Sequence, residues 1–366
     1  MLMSDEGVME KQLLDQFLED LRGLPEAQAE LGSPIQPGGP DRGYDARVDL
    51  RAGGKSVTLM IEVKKALYPR DVRQTLWRFQ AFAQRWPESA EERQTMSFLV
   101  AQSISPGAKD LLREERVGYY DSGGSLFLPA QDIYVYVDKP PPKALSKTIR
   151  SLFSGRRAQV LHVLLMRHGE WFGVKEVAEQ ARVSPATASQ VLAELERFDW
   201  VVSRGQGPTK ERDLRVPGAL LDAWVERLAV MRPLVMRRYF VPSVRSEELA
   251  RKFAEVCAAQ KAEYAITHEA AGQRYAPFLS VVSQVRCRMM AGAGTDRVLD
   301  ALDANMVDRG ANLVVIEAKS SGELLFRELV DGIWLASPVQ VYLDLIRGEG
   351  RAREMAKHLR QERLGF

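Results

Sequence analysis

The chain has 366 residues, 45% hydrophobic and 27% charged, which at about 150 residues per domain leaves room for two or three cores and excludes a mini-protein. Its 51 basic and 49 acidic side chains give a formal net charge of +2, which excludes both a uniformly basic nucleic-acid coat and an acidic disordered tail, so any polarity is local. Two cysteines and four scattered histidines offer neither zinc-ligand spacing nor a disulfide framework. With no membrane-length apolar stretch and no signal-peptide pattern at the start, a cytoplasmic location without a membrane partner is expected.

In chain order, the first element is a helix with Leu13, Leu14, Phe17, Leu18 and Leu21 on one face, followed by a Gly/Pro-rich loop through Gly43. Strands over 44–51 and 56–64 flank the turn Ala52-Gly53-Gly54-Lys55, a hairpin signal. On the second strand, a period of two sets Glu62 and Lys64 on one face and Leu59, Ile61 and Val63 on the other. A helix over 70–86 with Gln74, Leu76, Phe79 and Phe82 follows, then a strand over 96–101, a helix near 108–115 and a strand pair over 117–121 and 125–128. The order is αββαβαβ.

Asp49, Glu62 and Lys64 in this order and spacing resemble the PD-(D/E)XK restriction-endonuclease-like superfamily. That resemblance implies that Asp49 and Glu62 hold Mg²⁺ while Lys64 orients or deprotonates the water that attacks phosphate. Hard oxygen ligands suit that ion, which acidifies bound water and stabilises phosphoryl charge. Family spacing selects Asp49 as the first carboxylate, whereas a two-residue turn at Gly53-Gly54 sets Asp45 opposite Glu62, and a bulge would decide between them. The plainer reading makes Glu62 and Lys64 a partly buried ion pair in a domain that has kept the fold and lost the reaction. Residues 1–142 carry net −5, which favours that reading because a nuclease must hold a polyanion.

Lys139-Pro140-Pro141-Pro142-Lys143 breaks helix and central strand alike and marks a linker over 139–148. Beyond it the balance changes, to net +5 over 143–217 and +2 over 218–366. The middle block opens with a helix over 156–168 carrying Val160, Leu161, Leu164 and Leu165 on one stripe. A second helix over 174–181, the turn Arg182-Val183, and Ser184-Pro185 as cap and first residue of a third helix to Phe198 have helix-turn-helix spacing. Ala188, Val191 or Leu192, Leu195 and Phe198 form the buried stripe of that third helix. Ala186, Thr187, Ser189, Gln190 and Ala193 are left outside, small and polar as a groove-entering end requires. Strands over 200–204 and 212–216 form a wing, with Arg204, Lys210, Arg212 and Arg215 placed to meet phosphates. The run over 183–201 resembles bacterial winged-helix regulators. It departs from them at Asp199, where such proteins place Gly, but Asp tolerates the left-handed turn.

The last block reads as helical stripes, the segment Arg238-Tyr239-Phe240-Val241-Pro242, a helix over 247–263, and strands around 281–289 and 313–316. Its ending, Ala336-Ser337-Pro338-Val339-Gln340-Val341-Tyr342-Leu343-Asp344-Leu345 followed by the helix through Arg360, resembles the AbiEi family, the antitoxin side of type IV toxin–antitoxin systems. The resemblance covers about residues 150–366 and departs at His268, where a Gly commonly follows the Thr. It implies self-repression through the winged helix and neutralisation of a nucleotidyltransferase-like toxin, without catalysis. His162, His168 and His358 read as ordinary helix residues, and Trp171, Trp200, Trp224 and Trp334 as core.

The expectation is an α+β multidomain protein. Residues 1–138 form a restriction-endonuclease-like α/β domain, 149–217 a winged helix-turn-helix and 218–366 an AbiEi-like C-terminal α/β domain. The expected function is a cytoplasmic, homodimeric regulator that binds double-stranded DNA and needs no cofactor to do so. One alternative is a DNA endonuclease using Asp49, Glu62 and Lys64 with Mg²⁺; another is an antitoxin whose partner is a nucleotidyltransferase-like toxin.

Overall fold

A computed structural model describes residues 5–32, 44–83, 94–140, 151–232, 234–242, 246–348 and 350–366. The chain is a mixed α+β protein with, among the described residues, three sheets and twelve α-helices. Most of the expected 139–148 linker, the loop over 33–43 and the end of the 70–86 helix lie outside the described residues. Two compact units are present, Met1–Leu152 with Gln190–Ser203, and Phe153–Ser189 with Arg204–Phe366.

In the first unit, α1 (Asp5–Arg22) precedes β1 (Ala27–Leu31), β2 (Ala46–Ala52), β3 (Lys55–Lys64), α2 (Pro69–Ala83), β4 (Gln94–Ala101), α3 (Pro106–Glu114), β5 (Gly118–Asp121), β6 (Leu126–Pro129) and β7 (Tyr134–Val137). The seven strands lie side by side in chain order. The pairs β3–β4 and β4–β5 are parallel and the others antiparallel. Parallel neighbours need crossover connections, which here are α2 and α3. Leu13, Phe17, Leu18 and Leu21 of α1 cover one face against Val48, Leu50, Leu59, Ile61 and Phe98. The other face packs Leu67, Val72, Leu99, Leu112 and Phe127. Gly118 is required by close approach, since a Cβ there would lie 2.3 Å from the Phe98 ring. Strands β1 and β7 are additions to the expected order. Both are edges with weak patterning: β1 buries only Ala29, and β7 exposes Tyr134 and Tyr136.

The second unit holds α4 (Gly155–Met166), β8 (Phe172–Gly173) and α5 (Val174–Gln180). Next in the chain come α6 (Pro185–Arg197) and β9 (Val201–Arg204), which run across the division between units, then β10 (Glu211–Leu214) and α7 (Pro217–Ala229). Strand order in the small sheet is β8-β10-β9.

The remainder comprises β11 (Met236–Phe240), α8 (Ser246–Ala259), β12 (Tyr264–Thr267), α9 (His268–Tyr275), β13 (Val285–Met290), α10 (Ala293–Ala301), β14 (Asn305–Met306), β15 (Leu313–Ala318), β16 (Glu328–Val330), β17 (Ile333–Leu335), α11 (Pro338–Leu345) and α12 (Arg351–Leu359). Its sheet runs β14-β11-β15-β13-β12-β17-β16, with β13–β15 and β12–β17 parallel. The helix expected over 247–263 ends at Ala259, where Lys261 turns left-handed (φ 53°). His268 opens α9 at φ 55°, the region that favours glycine.

Candidate functional site

The hairpin closes through a two-residue turn at Gly53-Gly54, with Ala52 paired to Lys55. That register puts Asp49 opposite Thr58 and Ala46 opposite Ile61, so Asp45, one residue earlier, faces Glu62. At about 3.3 Å per residue, Asp49 lies about 13 Å along the strand from that level. Its Oδ1 takes hydrogen bonds from Thr58 Oγ1 at 2.7 Å and Arg47 Nη2 at 3.0 Å. Asp49 is therefore not brought to Glu62, because no bulge shifts the pairing. Asp45 instead accepts the backbone N–H of Val63 at 2.7 Å.

Glu62 is 4% exposed. Lys64 Nζ lies 2.6 Å from its Oε1, and Arg78 of α2 bonds the same oxygen while its Nη2 also donates to buried Thr75. Arg78 is the member that the sequence reading missed; its signal is the spacing of Gln74, Thr75 and Arg78 on a helix that follows the Glu-x-Lys strand. Two cations on one carboxylate oxygen offset its charge, and a divalent ion bound there would be repelled by both.

On α6 the cap forms as the residue types require. Ser184 Oγ accepts the Thr187 N–H at 3.2 Å and meets Thr187 Oγ1 at 2.9 Å. Ala188, Val191, Leu192, Leu195 and Phe198 are buried, whereas Ala186, Ser189, Gln190 and Ala193 are exposed and Thr187 is half-buried. Asp199 ends the helix at φ 56°. Burial pushes its carboxyl pKa up, against the pull of Arg73 and Arg70. Arg73 pairs with Asp199 at 3.2 Å and Arg70 with Glu196 at 3.3 Å, while Tyr68 meets Phe198 edge-on.

The four basic residues expected on the hairpin separate. Arg215 is exposed and Lys210 half-buried. Arg204 is exposed but bound to Glu211 at 2.7 Å and stacked 4.1 Å over Trp171. Trp171 was expected in the core; it stands partly in solvent and carries that arginine. Arg212 is 6% exposed, on a strand residue opposite Phe172. Arg182, in the turn before Ser184, is exposed at φ 50°. It adds a basic residue that the sequence reading passed over as mere turn.

In the second unit a buried ionic network joins β13 to α11. Arg288 Nη2 lies 2.6 Å from Asp344 Oδ1 and its Nη1 2.8 Å from Glu323. Thr267 donates to Asp344, as does Gln340 Nε2 at 2.9 Å. Burial alone would raise the Asp344 carboxyl pKa, but Arg288, His268 and the hydrogen bonds outweigh it and hold it low. Burial also lowers the His268 pKa, with Asp344 opposing. Beside this network is a cavity of about 200 Å³ whose walls include His162, Trp224, Phe326 and Ser337. Burial pushes the His162 imidazole down to about 3, so it is neutral at physiological pH.

Among the described residues, no group of three His, Cys, Asp or Glu side chains is arranged to hold a metal, and no helix is long and apolar enough to cross a membrane. No family model, curated protein or solved structure matches the chain.

Proposed function

We propose that the protein is a transcriptional regulator of the AbiEi-like type that binds double-stranded DNA sequence-specifically. In this reading α6 enters a major groove, the β9–β10 hairpin follows phosphates, and two copies bind two half-sites. The observation that carries the reading is the outward side of α6. Its Ala186, Ser189, Gln190 and Ala193 are exposed, small or amide-bearing, on a helix whose other side is buried. A helix of that kind can approach base edges closely, and Gln is the side chain suited to the adenine N6/N7 pair. The phosphate-contacting set is Arg204, Lys210 and Arg215, joined by Arg182; Arg212 acts as a structural residue of the strand.

Cleavage is not part of this reading. The expected pair, Asp49 and Glu62, does not converge on one Mg²⁺ in this register, since Asp49 sits opposite Thr58, and Glu62 Oε1 is held by Lys64 and Arg78. Supercoiled plasmid incubated with the protein and Mg²⁺ or Mn²⁺ should stay intact; nicking that disappears in Lys64→Ala would establish the nuclease instead.

Affinity for the duplex upstream of the protein's own coding sequence, measured against random duplex over a salt series, tests the DNA reading. Specific binding should exceed non-specific binding by about 10³-fold or more. Arg215→Ala should reduce the salt slope by about 1. Equal affinities for both duplexes would overturn the proposal.

A further inference from the structure

The second unit contains a built cavity that DNA contact does not use. Its volume of about 200 Å³ is below the roughly 300–1,000 Å³ of drug-sized sites and suits a single small ring system. The walls are aromatic on one side: His162 stacks on Phe326 with centroids 4.4 Å apart and meets Trp224 edge-on at 6.3 Å. Polar groups adjoin these rings. Ser337 Oγ shares a 2.5 Å hydrogen bond with His162 Nε2 and accepts the Gln340 N–H at 3.2 Å. Gln340 spends its Nε2 on Asp344, and its Oε1 has no hydrogen-bond partner among the described residues. Gln159 contributes a second amide, packed against Gly322 so closely that a Cβ there would clash with its Nε2. The Gln340 amide, held by buried Asp344, is preorganised.

Lys319, exposed, and Arg327 line the cavity. Arg327 is paired with Glu263 at 2.8 Å and stacked over Trp334, so Lys319 is the cation at the edge with a side chain left to offer. The one lining carboxylate, Glu323, is already matched by Arg288 at 2.8 Å and by the Lys319 N–H at 3.0 Å. The N-terminus of α11 at Ser337 adds to the same field.

We infer that this cavity binds a planar heteroaromatic ring of nucleobase size bearing an acidic group, the ring against the aromatic and amide lining and the acid against Lys319. On the DNA-binding reading above, the ligand is an effector. Helix α4 carries Gln159 and His162 into the cavity and is also the first helix of the proposed reading module.

Isothermal titration of the full chain with AMP, GMP, CMP and UMP, their nucleosides and inorganic phosphate tests this. At least one monophosphate should bind with a Kd below about 1 mM, its nucleoside about tenfold more weakly, and phosphate alone not at all. His162→Phe should abolish binding. Because that core change could unfold the chain, Lys319→Glu, at an exposed position, is the decisive variant and should weaken the monophosphate at least about tenfold. No binding by any monophosphate, or binding indifferent to Lys319→Glu, overturns the inference. Adding the bound monophosphate to the DNA titration should change duplex affinity. A monophosphate that binds a chain with no DNA affinity would refute the DNA reading and leave the cavity assignment standing.

Discussion

The Glu62 cluster and the outward face of α6 are both polar groups on regular elements, yet they are held in opposite ways. Glu62 is buried and fastened by two cations from β3 and α2, so its environment is complete without a ligand. Ser189 and Gln190 are exposed on a helix whose packing is finished on the other side, so changes there cost the fold little. What separates the two regions is how far their polar groups are already bonded within the chain.

The sharpest way to break the comparison is to remove both cations from Glu62. Lys64→Ala/Arg78→Ala leaves a buried carboxylate uncompensated and should destabilise the chain by about 3–5 kcal/mol in urea unfolding, without changing DNA affinity under conditions where the variant remains folded. His162 provides a second burial test. Its folded pKa of about 3 lies below the unfolded value, so the unfolded state binds the extra proton between those two values. Stability should therefore fall as pH drops from about 6.5 towards 3, by about 3 kcal/mol at pH 4 relative to His162→Gln under the same conditions. On the α6 face, Gln190→Ala should leave stability within about 0.5 kcal/mol of wild type and cost about 1–3 kcal/mol of discrimination at one base pair. Asp199 lies between these in stability. Asp199→Ala should cost about 1–2 kcal/mol for a left-handed residue without Asp's local tolerance, and Asp199→Gly less.

Much of this was legible in the sequence because local rules decided it. Ser184-Pro185 specified a helix start, the stripe Ala188 to Phe198 specified its buried side, and Asp199 took the left-handed conformation expected of it. The Gly53-Gly54 turn was legible too, and it carried the information that Asp45 faces Glu62; family spacing pointed to Asp49 instead. What could not be read was set by tertiary contact. Arg78 reaches Glu62 from another element, Arg212 is buried by its place in a three-stranded sheet, and Trp171 is a stacking surface for Arg204. The cavity walls come from α4, α7, α11 and the segment around Phe326, far apart in the chain. Strands β12, β16 and β17 are three or four residues long, too short for alternation to announce them.

The central claim, that α6 reads DNA, is tested most directly by footprinting the region upstream of the coding sequence with the wild-type protein and with Ser189→Ala/Gln190→Ala, two exposed positions. The expected result is a protected site with two half-sites about one helical turn apart, lost in the variant while its unfolding curve stays unchanged. Protection that is absent in the wild type, or that survives intact in the variant, would contradict it.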